Sequence, residues 1–319
     1  MRSLALALAL GLTGCGGSEE GVGRATPPAG EAPLVALAPG ERALSLVADG
    51  DDLAWVRISA GGEAVVERAR GGAVERVAAL APVPAEIASS TPSLLALRDG
   101  ALSWIDPGAR TAHVGADVPL DDEPVALALD PGGRAFVLTW SAIERVEGAA
   151  TTRVAPLERR ATPCRISADE AHVWFAERGA WRVARAPTSG GPVEEYADRR
   201  RLACGVHAGP ERATWIEVDP TLRVFVTRFS KALLPPPDVI PAASTEVGYY
   251  SPAGFHVDLA VDGDAAFTVN EEDGKLVEVD LVHTEGRALR EGLPSPTSVA
   301  ATPTSIAWAD QRGVWRIKR

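Results

Sequence analysis

The chain of 319 residues is 46% hydrophobic and 24% charged, which is enough apolar sequence to bury a large core and argues against overall disorder. Its formal net charge is −11, and its lysines and arginines form no long run. Nucleic acids and anionic lipid headgroups are therefore poor electrostatic partners for this protein.

Residues 1–14 have the pattern of an export signal peptide. A cation at Arg2 precedes the apolar run Leu4–Leu12, which is too short to span a bilayer. The run ends in Leu12-Thr13-Gly14-Cys15, which resembles the lipobox of bacterial lipoproteins, where the cysteine sulfur receives a diacylglycerol. The resemblance implies lipid attachment at Cys15, and the alternative is an ordinary signal peptide with a chance cysteine.

Gly16 follows Cys15 at the position where lipoproteins retained in the inner membrane often carry aspartate. The resemblance therefore implies anchoring in the bacterial outer membrane, and we expect the protein to face the periplasm. The lipid anchor is the only membrane contact that we expect. Residues 15–30 are mostly Gly, Pro, Ser and Glu, which predicts a flexible tether. Residues 31–319 are predicted to form a single domain made of strands and turns.

A large apolar residue recurs through this domain at intervals of 38 to 52 residues, with a mean of about 42. We assign it to the second strand of each repeat unit. Its seven occurrences are Trp55, Leu97, Phe136, Trp174, Trp215, Phe267 and Trp308. Another apolar residue follows seven positions later in five units and is assigned to the third strand. These residues are Trp104, Ile143, Trp181, Leu222 and Trp315.

The unit Pro163–Ala197 shows the strand pattern most clearly. Its four apolar or alternating runs are separated by turn sequences, which is typical of strands rather than helices. They are Arg165–Ala168, His172–Ala176, Trp181–Arg185 and Val193–Tyr196. Four strands in a repeat of this length predict an all-β fold, a seven-bladed β-propeller.

Aspartate recurs five or six residues before the apolar marker of several units, at Asp49, Asp130, Asp169 and Asp262. Recurrent carboxylates could bind metal ions. The simpler interpretation is that each aspartate caps the turn between the first and second strands, because its side chain bonds to nearby backbone N–H groups. We favour the turn interpretation and predict no metal site.

The last unit, 302–319, ends after its third strand, so one strand is missing. Near the start, Gly30–Leu37 precedes the first unit and resembles the fourth strand of the Pro163 unit. We therefore predict that the amino-terminal strand completes the last blade, which would remove the exposed edges of an open array.

Cys164 and Cys204 lie 40 residues apart, nearly one repeat, at equivalent places in the first strands of neighbouring units. First strands converge at a propeller axis, and an exported compartment is oxidising, so a disulfide is the favoured prediction. Two free thiols, or a metal site shared with His207, are the alternatives.

Two units carry a family resemblance, in Val173–Glu177 followed by Trp181–Arg185, and in Ile306–Asp310 followed by Val314–Ile317. They resemble the YWTD and NHL classes of propeller repeat, and the segment Ser189–Val193 is similar to bacterial lipoproteins built from such blades. The resemblance covers residues from about 30 to 319. It implies a propeller and no particular chemistry, because propellers host enzymes, receptors and scaffolds.

No catalytic or cofactor motif stands out. The five histidines show no metal-binding spacing, and the chain lacks a Gly-x-Ser-x-Gly elbow and a Walker loop. They are His113, His172, His207, His256 and His283. We predict no catalytic residue and no cofactor, and interpret each histidine as a hydrogen-bonded strand residue.

The sequence thus favours a monomeric, non-catalytic propeller that binds an unknown protein or small molecule across its axial face. One alternative is a propeller hydrolase or lyase, which requires titratable side chains that converge at the mouth of the axial channel. Another is a scaffold for outer-membrane protein assembly, which requires an exposed apolar groove.

Overall fold

The computed structural model describes residues 32–90, 92–158, 164–177, 182–197, 204–208, 213–219, 223–228, 245–249, 256–271, 273–283 and 286–319. The predicted signal peptide, Cys15 and the tether lie outside this part of the chain. Within it, no helix has the length and apolarity needed to cross a membrane.

The described strands form seven four-stranded antiparallel sheets, numbered here in chain order. Sheet 1 contains β2 (Arg42–Asp49), β3 (Asp52–Ile58), β4 (Ala64–Arg70) and β5 (Ala73–Leu80). Sheet 2 contains β6 (Leu95–Arg98), β7 (Ala101–Asp106), β8 (Thr111–His113) and β9 (Asp117–Pro119). Sheet 3 contains β10 (Pro124–Leu129), β11 (Ala135–Thr139), β12 (Ala142–Glu147) and β13 (Ala150–Pro156).

Sheet 4 contains β14 (Ser167–Ala168), β15 (His172–Glu177), β16 (Arg182–Pro187) and β17 (Glu194–Ala197). Sheet 5 contains β18 (Cys204–Ala208), β19 (Ala213–Asp219), β20 (Arg223–Arg228) and β21 (Thr245–Tyr249). Sheet 6 contains β22 (His256–Asp262), β23 (Ala265–Asn270), β24 (Lys275–Asp280) and β25 (Gly286–Arg290). Sheet 7 contains β26 (Ser298–Ala301), β27 (Ser305–Asp310), β28 (Gly313–Lys318) and, from the start of the domain, β1 (Val35–Ala36).

The first strands of the sheets surround a common axis. Each first strand contacts the first strand of the next sheet, and β26 of sheet 7 contacts β2 of sheet 1. Sheets arranged radially in this way form a β-propeller, so the predicted all-β propeller fold is confirmed. A short helix that the sequence analysis did not predict, α1 (Ala85–Ala88), lies in the connection between sheets 1 and 2.

The recurring apolar residue marks the second strand in six of the seven sheets, where it is buried. These residues are Trp55, Phe136, Trp174, Trp215, Phe267 and Trp308. The assignment of Leu97 was wrong, because Leu97 lies in β6, the first strand of its sheet. The second strand of that sheet is β7, which contains Trp104, a residue predicted to open a third strand.

Hydrogen bonds support the turn interpretation at two of the four recurring aspartates, Asp130 and Asp169, whereas Asp49 accepts from Gly100 N and Asp262 pairs with Arg319. Asp130 Oδ1 accepts from Arg134 N at 2.8 Å. Asp169 Oδ1 accepts from the backbone N–H groups of Ala171 and His172, both at 2.7 Å. Asp169 Oδ2 also accepts from Trp174 Nε1 at 2.8 Å, so this turn is joined to the core.

Strand β1 pairs antiparallel with β28, with Val35 opposite Val314 and Ala36 opposite Gly313. Flanking backbone bonds extend the contact, because Leu34 N donates to Val314 O at 2.8 Å. The two strands approach so closely that a Cβ atom at Gly313 would collide with the carbonyl oxygen of Val35. Glycine is therefore required at this position by space.

We predict that Gly313→Ala loosens β1 and destabilises the fold by about 1–3 kcal/mol, because the added methyl group must displace backbone atoms. Urea unfolding measures the stability, and amide exchange at Leu34 and Val35 measures the loosening. Gly61→Ala is the matched control, since a Cβ there would meet only Ser59 Oγ at 3.7 Å. Equal effects of the two variants would contradict the prediction.

Candidate ligand-binding cavity on the propeller axis

Irregular backbone in the first strands builds the centre of the ring. β-Bulges or register shifts interrupt the pairing of β2, β10, β18 and β22 with their neighbours. Ser45, in the bulge of β2, has a positive φ of 56°. A bulge redirects side chains and frees backbone groups from the strand ladder, so these groups can bond across the axis instead.

An ion pair crosses the axis between sheets 4 and 6. Arg165, just before β14, donates from Nε to Asp258 Oδ1 at 2.9 Å and from Nη2 to Asp258 Oδ2 at 2.8 Å. Arg165 Nη2 also approaches two backbone carbonyl oxygens, those of Leu46 at 3.0 Å and Val299 at 3.2 Å. The guanidinium therefore contacts sheets 1, 6 and 7 from sheet 4.

Asp258 is 2% exposed, and its carboxylate accepts from three further donors. Ser298 Oγ donates to Oδ2 at 2.7 Å, and the backbone N of Val299 donates to the same oxygen at 2.9 Å. The N–H of Leu259 donates to Oδ1 at 2.9 Å. A buried carboxylate is tolerated when it is paired and hydrogen-bonded in this way.

Serines and backbone groups extend this network to the remaining sheets. Ser93, before β6, accepts through Oγ from Ile166 N at 3.2 Å, and its carbonyl accepts from Leu127 N at 2.7 Å. Val206 N in sheet 5 donates to Arg165 O at 2.9 Å. We call the Arg165–Asp258 pair with Ser93 and Ser298 the axial hub, and it reaches all seven sheets.

Electrostatics keep Arg165 charged at this position. Burial alone would lower the pKa of Arg165, but Coulombic attraction to Asp258 and the hydrogen bonds between them outweigh burial and raise this pKa above its ordinary value. The hub is therefore a charge pair and not two neutral groups.

A cavity of about 300 Å³ lies on the axis above the hub, with Arg165 in its lining. Every sheet contributes to its wall, mostly from the later residues of the first strands, so the cavity is on the side of the turns between first and second strands. The apolar part of the wall includes Val47, Leu95, Leu127, Leu259, Val261 and Ala300.

Cationic and titratable groups in the lining are few. Arg98 lies at the end of β6, donates from Nη1 to Asp130 O at 2.9 Å, and has a side chain that is 39% exposed. His207, in β18, also lines the cavity. The described lining contains no aspartate or glutamate, so its charged groups are cationic.

The other described histidine side chains lie elsewhere. His113 stacks on Trp104 in sheet 2, with ring centroids 3.7 Å apart. His283, in a turn of sheet 6, lies with Nδ1 2.8 Å from Asp280 Oδ2. His172 contacts Trp174 edge-on in sheet 4. The described residues therefore bring one histidine to the cavity, and they contain no group of three or more His, Cys, Asp or Glu that could hold a metal ion.

One buried acid lies away from the cavity. Glu144, in β12, is 2% exposed, and its Oε2 has no hydrogen-bond partner. Burial is the main cause of its raised pKa, and the negative charges of Asp121 and Asp122 add to the shift, although Arg153 opposes them.

The predicted cysteine positions are partly described. Cys164 is buried beside the axial hub. The backbone of Val206 is hydrogen-bonded to that of Arg165. The segments that contain Cys204 and Cys164 therefore lie side by side. The side chain of Cys204 lies outside the described side chains, so pairing between the two cysteines remains a prediction.

The tryptophan of the Pro163 unit serves in packing between sheets. Tyr196 packs edge-on against Trp174, with centroids 4.6 Å apart, and against Trp215 of sheet 5 at 6.1 Å. Arg185 lies over the Trp174 ring at 5.3 Å. Burial raises the pKa of Tyr196. Trp181 lies outside the described residues.

The residues that sequence reasoning missed are Arg165 and Asp258. Each is a charged residue within an apolar first-strand segment, and this interruption is the signal that could have drawn attention to them. Their partnership could not be read locally, because 93 residues separate them.

Comparison with known proteins supports the fold. No protein-family model matches the sequence, and no curated protein does. Virginiamycin B lyase from Staphylococcus aureus has a similar structure, with a TM-score of 0.67 and 13% identity over 89% of this chain and 97% of that chain. YCF48 bound to D1 peptide gives a TM-score of 0.61 and 10% identity over 88% and 94% of the respective chains.

A third similar structure is the nidogen/laminin complex, with a TM-score of 0.52 and 13% identity over 85% of this chain and 86% of that chain. At these identities the comparisons support the fold alone. The chain is thus a β-propeller protein, and its function has to be argued from its own residues.

We predict that Asp258→Asn and Arg165→Gln each destabilise the protein by about 3–5 kcal/mol, because each leaves one buried charge without its partner. The double variant should cost less than either single variant, since it removes both charges. Denaturant unfolding of all four proteins gives the coupling energy.

Glu278→Gln is the control for this cycle, because Glu278 pairs with an arginine, Arg287, whose side chain is 74% exposed. An exposed pair should contribute less than about 1 kcal/mol. Additive effects of the two hub substitutions would contradict a coupled ion pair.

Proposed function

We propose that this protein is a monomeric, lipid-anchored propeller that binds a small ligand in its axial cavity without transforming it. In this proposal the ring has seven blades, and β1 closes the last of them. Cys15 carries the lipid, residues 15–30 form the tether, and the propeller faces the periplasm from the outer membrane. The lipobox-like sequence and the Gly16 that follows it support this location.

The observation that carries the proposal is the composition of the cavity. Aliphatic side chains line its walls together with polar backbone and side-chain groups, and its base is a charge pair whose carboxylate already accepts five hydrogen bonds. Such a base holds a fixed shape and offers no free proton acceptor. A preformed concave pocket with a few fixed polar groups is typical of ligand binding.

The alternative functions have less support. A hydrolase or lyase requires an acid–base pair at the cavity, and the described lining supplies a single histidine, His207. An assembly scaffold requires a broad apolar surface. The large hydrophobic side chains exposed in the described residues are three valines, Val74, Val77 and Val282. Proteins of this fold include partners in protein and peptide complexes, so a protein partner is the second candidate.

We predict that filling the cavity abolishes ligand binding. Ala96 lines the cavity and is partly buried, so the ring of Ala96→Phe would occupy the ligand's space. Saturation-transfer NMR with a library of small fragments should detect fragments that bind wild-type protein. These fragments should bind Ala96→Phe at least about tenfold more weakly, a loss of about 1.4 kcal/mol or more.

Ala150→Phe is the control, because Ala150 is exposed at the start of β13. The fragments should bind this variant as they bind wild type, and they should be recovered chemically unchanged. Fragments that bind Ala96→Phe as well as wild type would place binding outside the cavity. Conversion of a fragment to product would overturn the non-catalytic assignment.

We expect intact-mass spectrometry of protein from bacterial membranes to show a chain that begins at Cys15 and carries diacylglycerol. The same sample, alkylated without reduction, should leave Cys164 and Cys204 unmodified, and reduction should expose both thiols. Cys15→Ser should remain unlipidated and leave the membrane fraction. A wild-type chain without added lipid, or with both thiols alkylated before reduction, would contradict the corresponding part of the proposal.

A further inference from the structure

We propose that the axial cavity selects small monocarboxylates, and that the Nη1 group of Arg165 is their anchor. The inference rests on the proposed function, since it names the class of ligand that the cavity takes. It assigns Arg165 a role in ligand binding in addition to its role in the axial hub.

The guanidinium of Arg165 has unused hydrogen-bonding capacity. Arg165 directs Nε and Nη2 to Asp258, which leaves Nη1 on the opposite side of the fork. Among the described residues Nη1 donates to no protein acceptor, and the Arg165 side chain is 16% exposed. Because Arg165 lines the cavity and its other nitrogens are occupied, we infer that Nη1 is the donor available to a ligand there.

The guanidinium of Arg165 is also held rigidly. A flexible arginine loses side-chain entropy when it binds an anion, whereas this guanidinium is already held by a bidentate pair and two backbone carbonyls. Carboxylates accept hydrogen bonds from guanidinium groups more strongly than neutral carbonyl oxygens do. The held Nη1 group therefore favours a carboxylate over a neutral ligand of the same shape.

The charges that line the cavity favour an anionic ligand. Asp258 neutralises Arg165, but Arg98 adds a second cation to the lining, and no carboxylate lines the described cavity to oppose it. Arg98 Nε lies 3.7 Å from Asp99 Oδ2, but the Asp99 side chain is 94% exposed and its charge is screened by solvent. One additional negative charge, brought by the ligand, would make the cavity neutral. This balance favours a monoanion over a dianion.

The size of the cavity and the side chains of its wall favour a short alkyl chain. The cavity of about 300 Å³ is at the lower end of the range for ligand pockets, and leucine and valine side chains line it above the arginine. A carboxylic acid with a short alkyl chain fits both features. Its carboxylate would contact Arg165 Nη1, and its alkyl body would contact Leu95, Leu127 and Leu259.

Titration calorimetry of the detergent-solubilised, full-length mature protein with hexanoate and hexanamide tests the inference. The two probes have nearly the same shape and differ in charge. We expect hexanoate to bind at least about tenfold more tightly. Nitrogen-detected NMR of the arginine side chains should show a shift of the Arg165 Nη1 resonance with hexanoate that hexanamide does not produce.

Variants test the role of each cation. The double variant Arg165→Gln with Asp258→Asn should lose the preference for hexanoate, and Arg98→Gln should reduce it several-fold. Arg287→Gln, at an exposed outer edge, is the control and should leave it unchanged. The comparison of the two probes on wild-type protein decides the question even if the double variant does not fold.

Equal binding of the two probes, or a preference for hexanoate that survives in the folded double variant, would overturn the carboxylate inference. Failure of hexanoate to bind would also overturn it. In each case fragments that Ala96→Phe excludes would still support the proposed function. Loss of fragment binding to the cavity altogether would instead overturn the proposed function, so the two failures are distinguishable.

Discussion

The Arg165–Asp258 ion pair is the interaction on which the centre of this molecule depends. Packing between neighbouring sheets does not by itself fix the distances between sheets on different sides of the ring. The ion pair joins sheets 4 and 6 and is bonded to sheets 1 and 7, so it fixes those distances. Two opposite charges in a poorly solvated site are stable only when their geometry and their further hydrogen bonds are satisfied. The bulges, the serines and the backbone carbonyls around the pair meet this requirement.

The same pair links architecture to ligand binding. Asp258 and two backbone carbonyls hold Arg165, which also lines the axial cavity, so the guanidinium has a fixed direction there. A shift of any sheet by a fraction of an ångström would move this group. Binding in the cavity and the alignment of the sheets should therefore be energetically coupled, and a ligand at the axis would stabilise the ring as a whole.

The repetitive part of the fold could be predicted from the sequence because each repeat buries the same kind of residue at the same place. Trp55, Trp174 and Trp308 identify second strands directly, and the turn aspartates confirm the phase. The strand assignment was wrong in sheet 2. The connection that contains α1 lengthens the chain before this sheet, and its outer strands β8 and β9 have only three residues each. An alternating pattern cannot distinguish Leu97 from Trp104 when both spacings fit.

The candidate site could not be predicted in the same way. The periodicity of the sequence predicts which residues face a core, but Arg165 and Asp258 depart from the repeat. Each of these buried charges is stabilised by a partner in another repeat unit. Nothing in the sequence around either residue specifies a distance across the axis. Residues that break a repeat are therefore the ones to examine first when the chemistry of a repeat protein is sought.

The pairing of β1 with β28 has a consequence for how the molecule is made. Val35 is among the first residues of the domain to be synthesised, and Val314 is among the last, yet they lie opposite each other in one sheet. Contacts between residues so far apart in sequence form slowly, because a very long loop must close. Until the end of the chain arrives, β1 has no strand with which to pair, and this interval is when the nascent protein is most exposed to aggregation.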